Sequence, residues 1–232
     1  MRRVSLVLLL ALWAGAAQAD PFSIASARYE APTERYPHGA LGDPIEWGAL
    51  VLQSETGAVR RLTLPESAVF EDTAPRLFDV DRDGMMEVIA VESDTKRGAR
   101  LVIYGPSGMI AATPHIGTRF RWLAPLGAAD LDGDGWIEIA YIDRPHLAKV
   151  LRVWRFENGV LHPVAEASGL TNHQFGADII EGGIRTCGGR TEMITADANW
   201  QQIVATRLVD GVLTHRSLGA YSPVSLAAAL SC

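Results

Sequence analysis

The sequence predicts an all-β protein built as an array of four similar units, each about 51 residues long. Three observations support this prediction. Glycine-centred turns recur at Gly57, Gly108, Gly159 and Gly211, at separations of 51, 51 and 52 residues. Apolar, β-type runs lead into and out of each turn. An acidic motif occurs twice, one period apart, and self-similarity at a fixed period is typical of a repeat architecture.

The recurrent turns are predicted to be β-hairpins. Asn158-Gly159 and Asp210-Gly211 are dipeptides that favour tight hairpin turns, because both central residues of such turns need a positive φ. The segments before the second and third turns, Leu101-Val-Ile-Tyr and Leu151-Arg-Val-Trp-Arg-Phe, are rich in β-branched, aromatic and other apolar residues. We therefore expect each unit to contain at least one strand pair closed by a glycine.

The repeated acidic motif reads D-x-D-x-D-G-x-x-E in both copies. Four carboxylates within nine residues repel one another, and a crowded cluster of this kind is stabilised by a cation. Oxygen ligands at alternate positions, with a glycine that permits a sharp turn, suit a hard ion such as Ca²⁺. The predicted ligands are four side chains and one main-chain carbonyl in each copy: Asp79, Asp81, Asp83, Met85 and Glu87, and Asp130, Asp132, Asp134, Trp136 and Glu138.

The flanks of the motif distinguish it from an EF-hand. An EF-hand needs helices on both sides and a bidentate Glu at loop position 12, whereas that position holds Ala90 in the first copy and Tyr141 in the second. Apolar residues follow each copy in a β-type pattern. We therefore expect two calcium sites, each in a loop that joins two strands. The alternative is an ordinary Asp- and Gly-rich turn without metal.

The two acidic loops resemble those of FG-GAP/VCBS repeats, the units of integrin-α-type β-propellers, whose loops carry D-x-[DN]-x-D-G-x-x-[DE]. The resemblance implies a small β-propeller-like array of about four blades, with calcium loops in the two central blades. It implies no particular activity, since such repeats occur in adhesion proteins, in enzymes and as accessory modules. Closure into a ring would remove exposed strand edges. An open array, or half of a homodimeric ring, is the alternative.

Residues 1–19 have the pattern of a cleaved signal peptide. Arg2 and Arg3 precede a short apolar run, and Ala17-Gln18-Ala19 places small residues at the −3 and −1 positions. A membrane anchor is the alternative, although the run is short for a span. Residues 20–232 are then predicted to be one secreted or periplasmic domain. Removal of the two arginines changes the formal net charge from −6 to −8, and no basic stretch suggests a nucleic-acid partner.

The two cysteines, Cys187 and Cys232, are expected to form a disulfide in an oxidising compartment. On the chain-entropy account such a bridge contributes about 3–4 kcal/mol to stability. A catalytic thiol at Cys187 is the alternative. Cys187 lies where the last unit has lost the acidic motif, so we expect no calcium there. The tail Pro223–Leu230 is predicted to form one or two helical turns.

No catalytic motif stands out in the sequence. There is no G-x-S-x-G elbow, no phosphate-binding glycine loop and no H-E-x-x-H pattern. His115 and His173 share a similar context, which fits either a ligand-binding pair or two equivalent packing contacts. We therefore predict an exported calcium-binding module that is non-enzymatic and binds a protein or glycan. The alternative is a small secreted hydrolase or lyase with a site near these two histidines. Trp136 is the best candidate for an exposed aromatic residue.

Overall fold

A computed structural model of the chain describes residues 22–232, and nearly all its regular elements are β-strands. The predicted signal peptide, residues 1–19, lies outside the described residues. The elements in chain order are β1 (Ile24–Thr33), β2 (Glu46–Ser54), β3 (Val59–Thr63), β4 (Ala68–Phe70), β5 (Arg76–Phe78), β6 (Glu87–Asp94), β7 (Gly98–Gly105), β8 (Gly108–Ala112), β9 (Leu123–Ala129), β10 (Ile137–Asp143), β11 (Val150–Glu157), β12 (Val160–Ser168), β13 (Leu170–Thr171), β14 (Gly183–Cys187), β15 (Arg190–Asp197), β16 (Gln202–Val209), β17 (Val212–Ala220) and α1 (Pro223–Leu230).

The strands form three antiparallel sheets. The first has the order β1-β2-β4-β6-β7-β8, with β3 paired to β2 and β5 paired to β6. The second has the order β12-β11-β10-β9, and the third has the order β13-β15-β16-β17 with β14 paired to β15. Consecutive strands therefore pair within four successive groups: β1–β3, β5–β8, β9–β12 and β14–β17. The prediction of an all-β fold is confirmed.

The predicted hairpins are present at all four glycines. Gly57 lies between β2 and β3, Gly159 between β11 and β12, and Gly211 between β16 and β17, whereas Gly108 is the first residue of β8 after the turn from β7. Asn158 and Gly159 have φ values of 51° and 79°, and Asp210 and Gly211 have 51° and 75°. Positive φ at both central residues gives a turn whose twist matches that of the flanking strands.

The core consists of apolar layers between successive strand groups. Alternate residues of β6 serve two layers, because successive side chains of a strand point to opposite faces. Val88 and Ala90 pack towards β2, whereas Ile89 and Val91 pack towards β9 and β10. Strand β10 divides its residues in the same way between the layer with β6 and the layer with β15. Burial on both faces explains why these strands are almost continuously apolar.

The last strand group is covered by α1. Leu226 of the helix packs on Ile194, Ile203 and Ala205. Ser222 caps the helix by accepting a hydrogen bond from the backbone N–H of Ser225. The predicted tail helix is therefore present, and it is longer than one turn.

A disulfide between Cys187 and Cys232 ties the end of the chain to β14. The predicted bridge is thus present. In this last group β14 joins β15 through Gly188 and Gly189, which have φ values of 57° and 74°. A two-residue turn therefore stands where the two central groups have an acidic loop.

The first and last strand groups meet through loops. The backbone N–H of Gly176 donates to the carbonyl of Ala40 at 2.9 Å. Gly42 lies beside this contact with a φ of 101°, and a Cβ there would be 2.9 Å from the carbonyl oxygen of Gly176. Glycine is needed at this position for both reasons.

Replacement of Cys232 by Ser should lower the free energy of unfolding by about 2–4 kcal/mol, because the bridge closes a loop with a sequence separation of 45 residues. Urea denaturation of the purified protein measures the change. The double variant Cys187→Ser/Cys232→Ser is the control and should match the single variant. An unchanged unfolding midpoint in Cys232→Ser would contradict a stabilising role of the bridge.

Candidate functional site

The two acidic loops occupy equivalent places in their strand groups. Residues 79–86 connect β5 to β6, and residues 130–136 connect β9 to β10. Both flanks are strands, as the sequence predicts. The loops are neighbours, since the Arg82 guanidinium of the first loop contacts Asp130 of the second, with a distance of 3.1 Å from Nη2 to Oδ2.

Hydrogen bonds from the backbone to the first and last acids shape the first loop. The N–H of Gly84 donates to Asp79 Oδ2 at 3.1 Å, and the N–H of Val80 donates to Glu87 Oε2 at 3.0 Å. Gly84 has a φ of 89°, which allows the chain to turn sharply around the Asp79 carboxylate. These bonds hold the carboxylates of Asp79 and Glu87 towards the interior of the loop.

The second loop repeats both hydrogen bonds. The N–H of Gly135 donates to Asp130 Oδ2 at 3.1 Å, and the N–H of Leu131 donates to Glu138 Oε2 at 2.9 Å. The same motif therefore folds in the same way twice.

In each loop three acids converge in a manner that could hold a metal ion. One oxygen of each lies within 4.8 Å of the others. The two clusters are Asp79, Asp81 and Glu87, and Asp130, Asp132 and Glu138. The remaining predicted ligands stay predictions: the carboxylates of Asp83 and Asp134 and the carbonyls of Met85 and Trp136.

The first loop suits a hard divalent cation. Asp79 Oδ1 is buried and has no hydrogen-bond partner among residues 22–232. Burial, together with the negative charges of Asp81, Asp83 and Asp79, raises the pKa of Glu87 to about 7. Within the same described range no ion pair to these four acids is formed. Ca²⁺ prefers oxygen ligands, and a bound ion would give the buried Asp79 Oδ1 the partner that it lacks among residues 22–232.

The second loop has the same donor set but is already in contact with Arg155 on β11. The Arg155 guanidinium places Nε 2.6 Å from Glu138 Oε1, Nη2 2.9 Å from Asp132 Oδ2 and Nη1 2.7 Å from Asp134 Oδ2. Burial raises the pKa of Glu138, although the hydrogen bond from Arg155 opposes the shift. The sequence analysis missed Arg155, because it lies directly opposite Glu138 only once the register of β10 and β11 is set.

Residues 79–141 match the family model of the FG-GAP-like repeat. The chain carries an FG-GAP-like repeat. The match begins at the first acid of the first loop and includes the whole second loop, so it rests on the same residues as the resemblance deduced from the sequence. No curated protein matches the chain. Within residues 22–232, no helix has the length and apolar character needed to cross a bilayer.

A small pocket lies at the other end of the strands that carry the repeat. Trp122 precedes β9 and His146 follows β10, whereas the acidic loop connects the opposite ends of these two strands. The pocket encloses about 160 Å³. Its lining is mainly aromatic and basic: His38, Phe120, Arg121, Trp122, Arg144, His146, Leu147 and Phe175.

The predicted residue His173 contacts the pocket residue His146 but does not itself line the pocket. Its Nε2 lies 3.0 Å from the carbonyl oxygen of Ala177 and therefore carries the proton. Its Nδ1 then accepts a hydrogen bond from Nε2 of His146 at 2.8 Å. Burial lowers the pKa of both imidazoles, and that of His146 falls to about 4 because His173, His38 and Lys149 add to the effect of burial. Both rings are neutral at pH 7.

The structure places His115, the other predicted residue, in different surroundings. Its Nδ1 lies 2.8 Å from the carbonyl oxygen of Gly98, and it is not part of the pocket lining. His38 and His146 are the histidines that face the pocket, and the sequence analysis did not select them because they share no local context. Nδ1 of His38 contacts Glu71 Oε1 at 2.5 Å.

Glu46 is a buried carboxyl group without a partner. It is 1% exposed, and neither oxygen has a hydrogen-bond partner among the described residues. Burial raises its pKa to about 10, with further contributions from the charges of Glu71, Asp43 and Asp72. The group is therefore protonated in the folded protein at neutral pH.

Replacement of Glu46 by Gln should stabilise the protein at pH 8 by about 1–3 kcal/mol. Folding raises the pKa of Glu46. The contribution of this group to the free energy of unfolding of the wild type is therefore fully present below its ordinary pKa of 4.5 and is lost as the pH rises towards about 10. Gln mimics the protonated acid and does not ionise on unfolding. Urea denaturation at pH 4 and pH 8 measures the effect.

Glu55→Gln is the matched control, since Glu55 is exposed. It should change stability by less than about 0.5 kcal/mol at either pH. A gain for Glu46→Gln that is as large at pH 4 as at pH 8 would show that the substitution acts through packing rather than ionisation.

Proposed function

We propose that this protein is an exported calcium-binding module, built as a small β-propeller-like array of four blades, that binds a protein or glycan partner and is not an enzyme. The four blades are the strand groups β1–β3, β5–β8, β9–β12 and β14–β17. The first acidic loop is the observation that carries the proposal. Its carboxylates converge, no basic side chain of the described residues pairs with them, and the buried Asp79 Oδ1 lacks a partner.

Calcium has a structural role in this proposal. The loop leaves β5 at Asp79 and enters β6 at Glu87, so one ion bound to both residues would fix the ends of two paired strands. It would also remove the repulsion among four carboxylates. Calcium would supply no chemistry beyond this charge and coordination.

The array is proposed to be open at the junction between the first and last blades. Helix α1 covers the apolar face of the last blade, where a neighbouring blade would otherwise pack. The loop contact between Gly176 and Ala40 brings the two blades together at one end. An open array could pair with a second copy of the chain, so a homodimer is the alternative. The disulfide and the predicted signal peptide both favour an exported protein.

The pocket end is the better candidate for partner binding. Phe175 and Leu147 at the pocket are 63% and 62% exposed. An aromatic pocket that also presents polar and charged groups is typical of a binding site. Trp136, at the loop end, is 42% exposed and offers a second aromatic contact. The alternative function, a small hydrolase or lyase, depends on His173, since His115 has different neighbours.

Thermal unfolding with increasing free Ca²⁺ tests the calcium proposal. A ligand bound only by the folded state stabilises by about 2.7 kcal/mol at one hundred times its dissociation constant, so the melting temperature should rise steadily with Ca²⁺. Asp81→Asn keeps an oxygen for the hydrogen bond from the N–H of Asp83 but removes a charge. It should abolish most of the rise.

Asp210→Asn makes the same chemical change in a hairpin turn outside both loops, and the calcium-dependent rise should persist there. The absence of any rise in the wild-type protein, together with no bound calcium by metal analysis, would overturn the proposed function.

A further inference from the structure

The glutamate that ends the acidic motif has different partners in successive strand groups. Glu87 on β6, Glu138 on β10 and Glu192 on β15 occupy equivalent places, since each begins a similar strand segment. Within the described residues Glu87 pairs with no guanidinium and Glu138 pairs with that of Arg155. Two guanidinium groups, those of Arg185 and Arg216, lie 2.6 and 2.9 Å from Glu192. The chain therefore neutralises the same position in different ways.

In the second loop Arg155 takes the place of a cation. Its three nitrogens contact three different acids, at distances of 2.6 to 2.9 Å. Two of these acids, Asp132 and Glu138, belong to the cluster that could hold a metal ion. Two positive groups bound by the same carboxylates a few ångströms apart repel each other strongly in a half-buried site. Calcium and the guanidinium therefore compete.

A second guanidinium completes the neutralisation of this loop. Arg82 projects from the first loop and contacts Asp130 at 3.1 Å. Together with Arg155 it gives each of the four acids of the second loop an arginine partner: Asp130, Asp132, Asp134 and Glu138. None of the four acids of the first loop has an arginine or lysine partner in residues 22–232. The two copies of one motif thus differ by two positive charges.

We propose that Arg155 is an internal counter-ion that competes with Ca²⁺ for the second loop, so that the two loops of the repeat bind calcium with unequal affinity. The first loop is the tight site. The second loop binds calcium only when Arg155 releases Asp132, Asp134 and Glu138. This inference rests on the proposed calcium function and concerns how the chain divides that function between its two loops.

The two loops then differ in what keeps them ordered. Without calcium the second loop stays ordered, because Arg155 bridges its carboxylates to β11. The first loop has no such bridge and depends on the ion. Removal of calcium by EDTA should therefore increase amide exchange at residues 79–86 more than at residues 130–136.

Calorimetric titration of the full chain with CaCl₂ tests the competition. The wild-type protein should show one tight site and one site weaker by at least about tenfold, and Asp81→Asn should remove the tight one. Arg155→Met keeps an apolar stem of similar length and removes the charge. It should strengthen the weaker site by at least about tenfold. Arg155→Lys keeps the charge but loses the planar fork and should give an intermediate value.

Arg152→Met is the matched control. Arg152 lies on the same strand and pairs with Asp143 and Glu166, which lie outside both loops. Its replacement should leave both calcium affinities within about twofold of the wild type. In EDTA the melting temperature of Arg155→Met should fall below that of Arg152→Met, and added calcium should restore it.

The outcomes separate this inference from the function on which it rests. Two equally tight sites in the wild-type protein, unchanged by Arg155→Met, would overturn the competition and leave the calcium module intact. No calcium binding in either protein would overturn both. If Arg155→Met does not fold, the titration of Arg155→Lys decides. If the weaker site of Arg155→Lys has the same calcium affinity as that of the wild type, the result counts against the competition.

Discussion

Repulsion among like charges is the constraint on which the centre of this structure depends. Each acidic loop brings four carboxylates to the place where one strand turns into its neighbour, and their mutual repulsion opposes strand pairing there until the charge is neutralised. The chain offers three solutions. The first loop is suited to a divalent ion, the second is bridged by Arg155, and the last strand group replaces the loop by a Gly188-Gly189 turn beside a disulfide.

The two ends of the strands have opposite electrostatic character. At the loop end the carboxylates of the second loop are paired with arginines, and those of the first loop converge without such a partner among the described residues. At the pocket end the lining includes the basic residues Arg121 and Arg144, and burial lowers the pKa of His146 and His173. The acid clusters at the loop end and the pocket at the other end share no residues.

Burial on both faces of the central strands fixes the order of the array. Because β6 and β10 each supply side chains to two apolar layers, every strand group needs a neighbour on both sides. On the outer face of the group β14–β17, α1 takes the place of a neighbour with Leu226. The disulfide at Cys232 holds the helix there, so the short tail acts as the end cap of a repeat protein.

The sequence by itself determined the features that depend on neighbouring residues: the period, the four hairpins, the two acidic loops, the cysteine pair and the tail helix. Turn chemistry and alternation act within a few residues, so they can be read directly. Only the tertiary structure decided the rest. Arg155 reaches Glu138 through a strand register set across a six-residue connection, His146 meets His173 across 27 residues, and Glu46 is buried by distant segments. Such contacts depend on how the sheets pack, which no local pattern specifies.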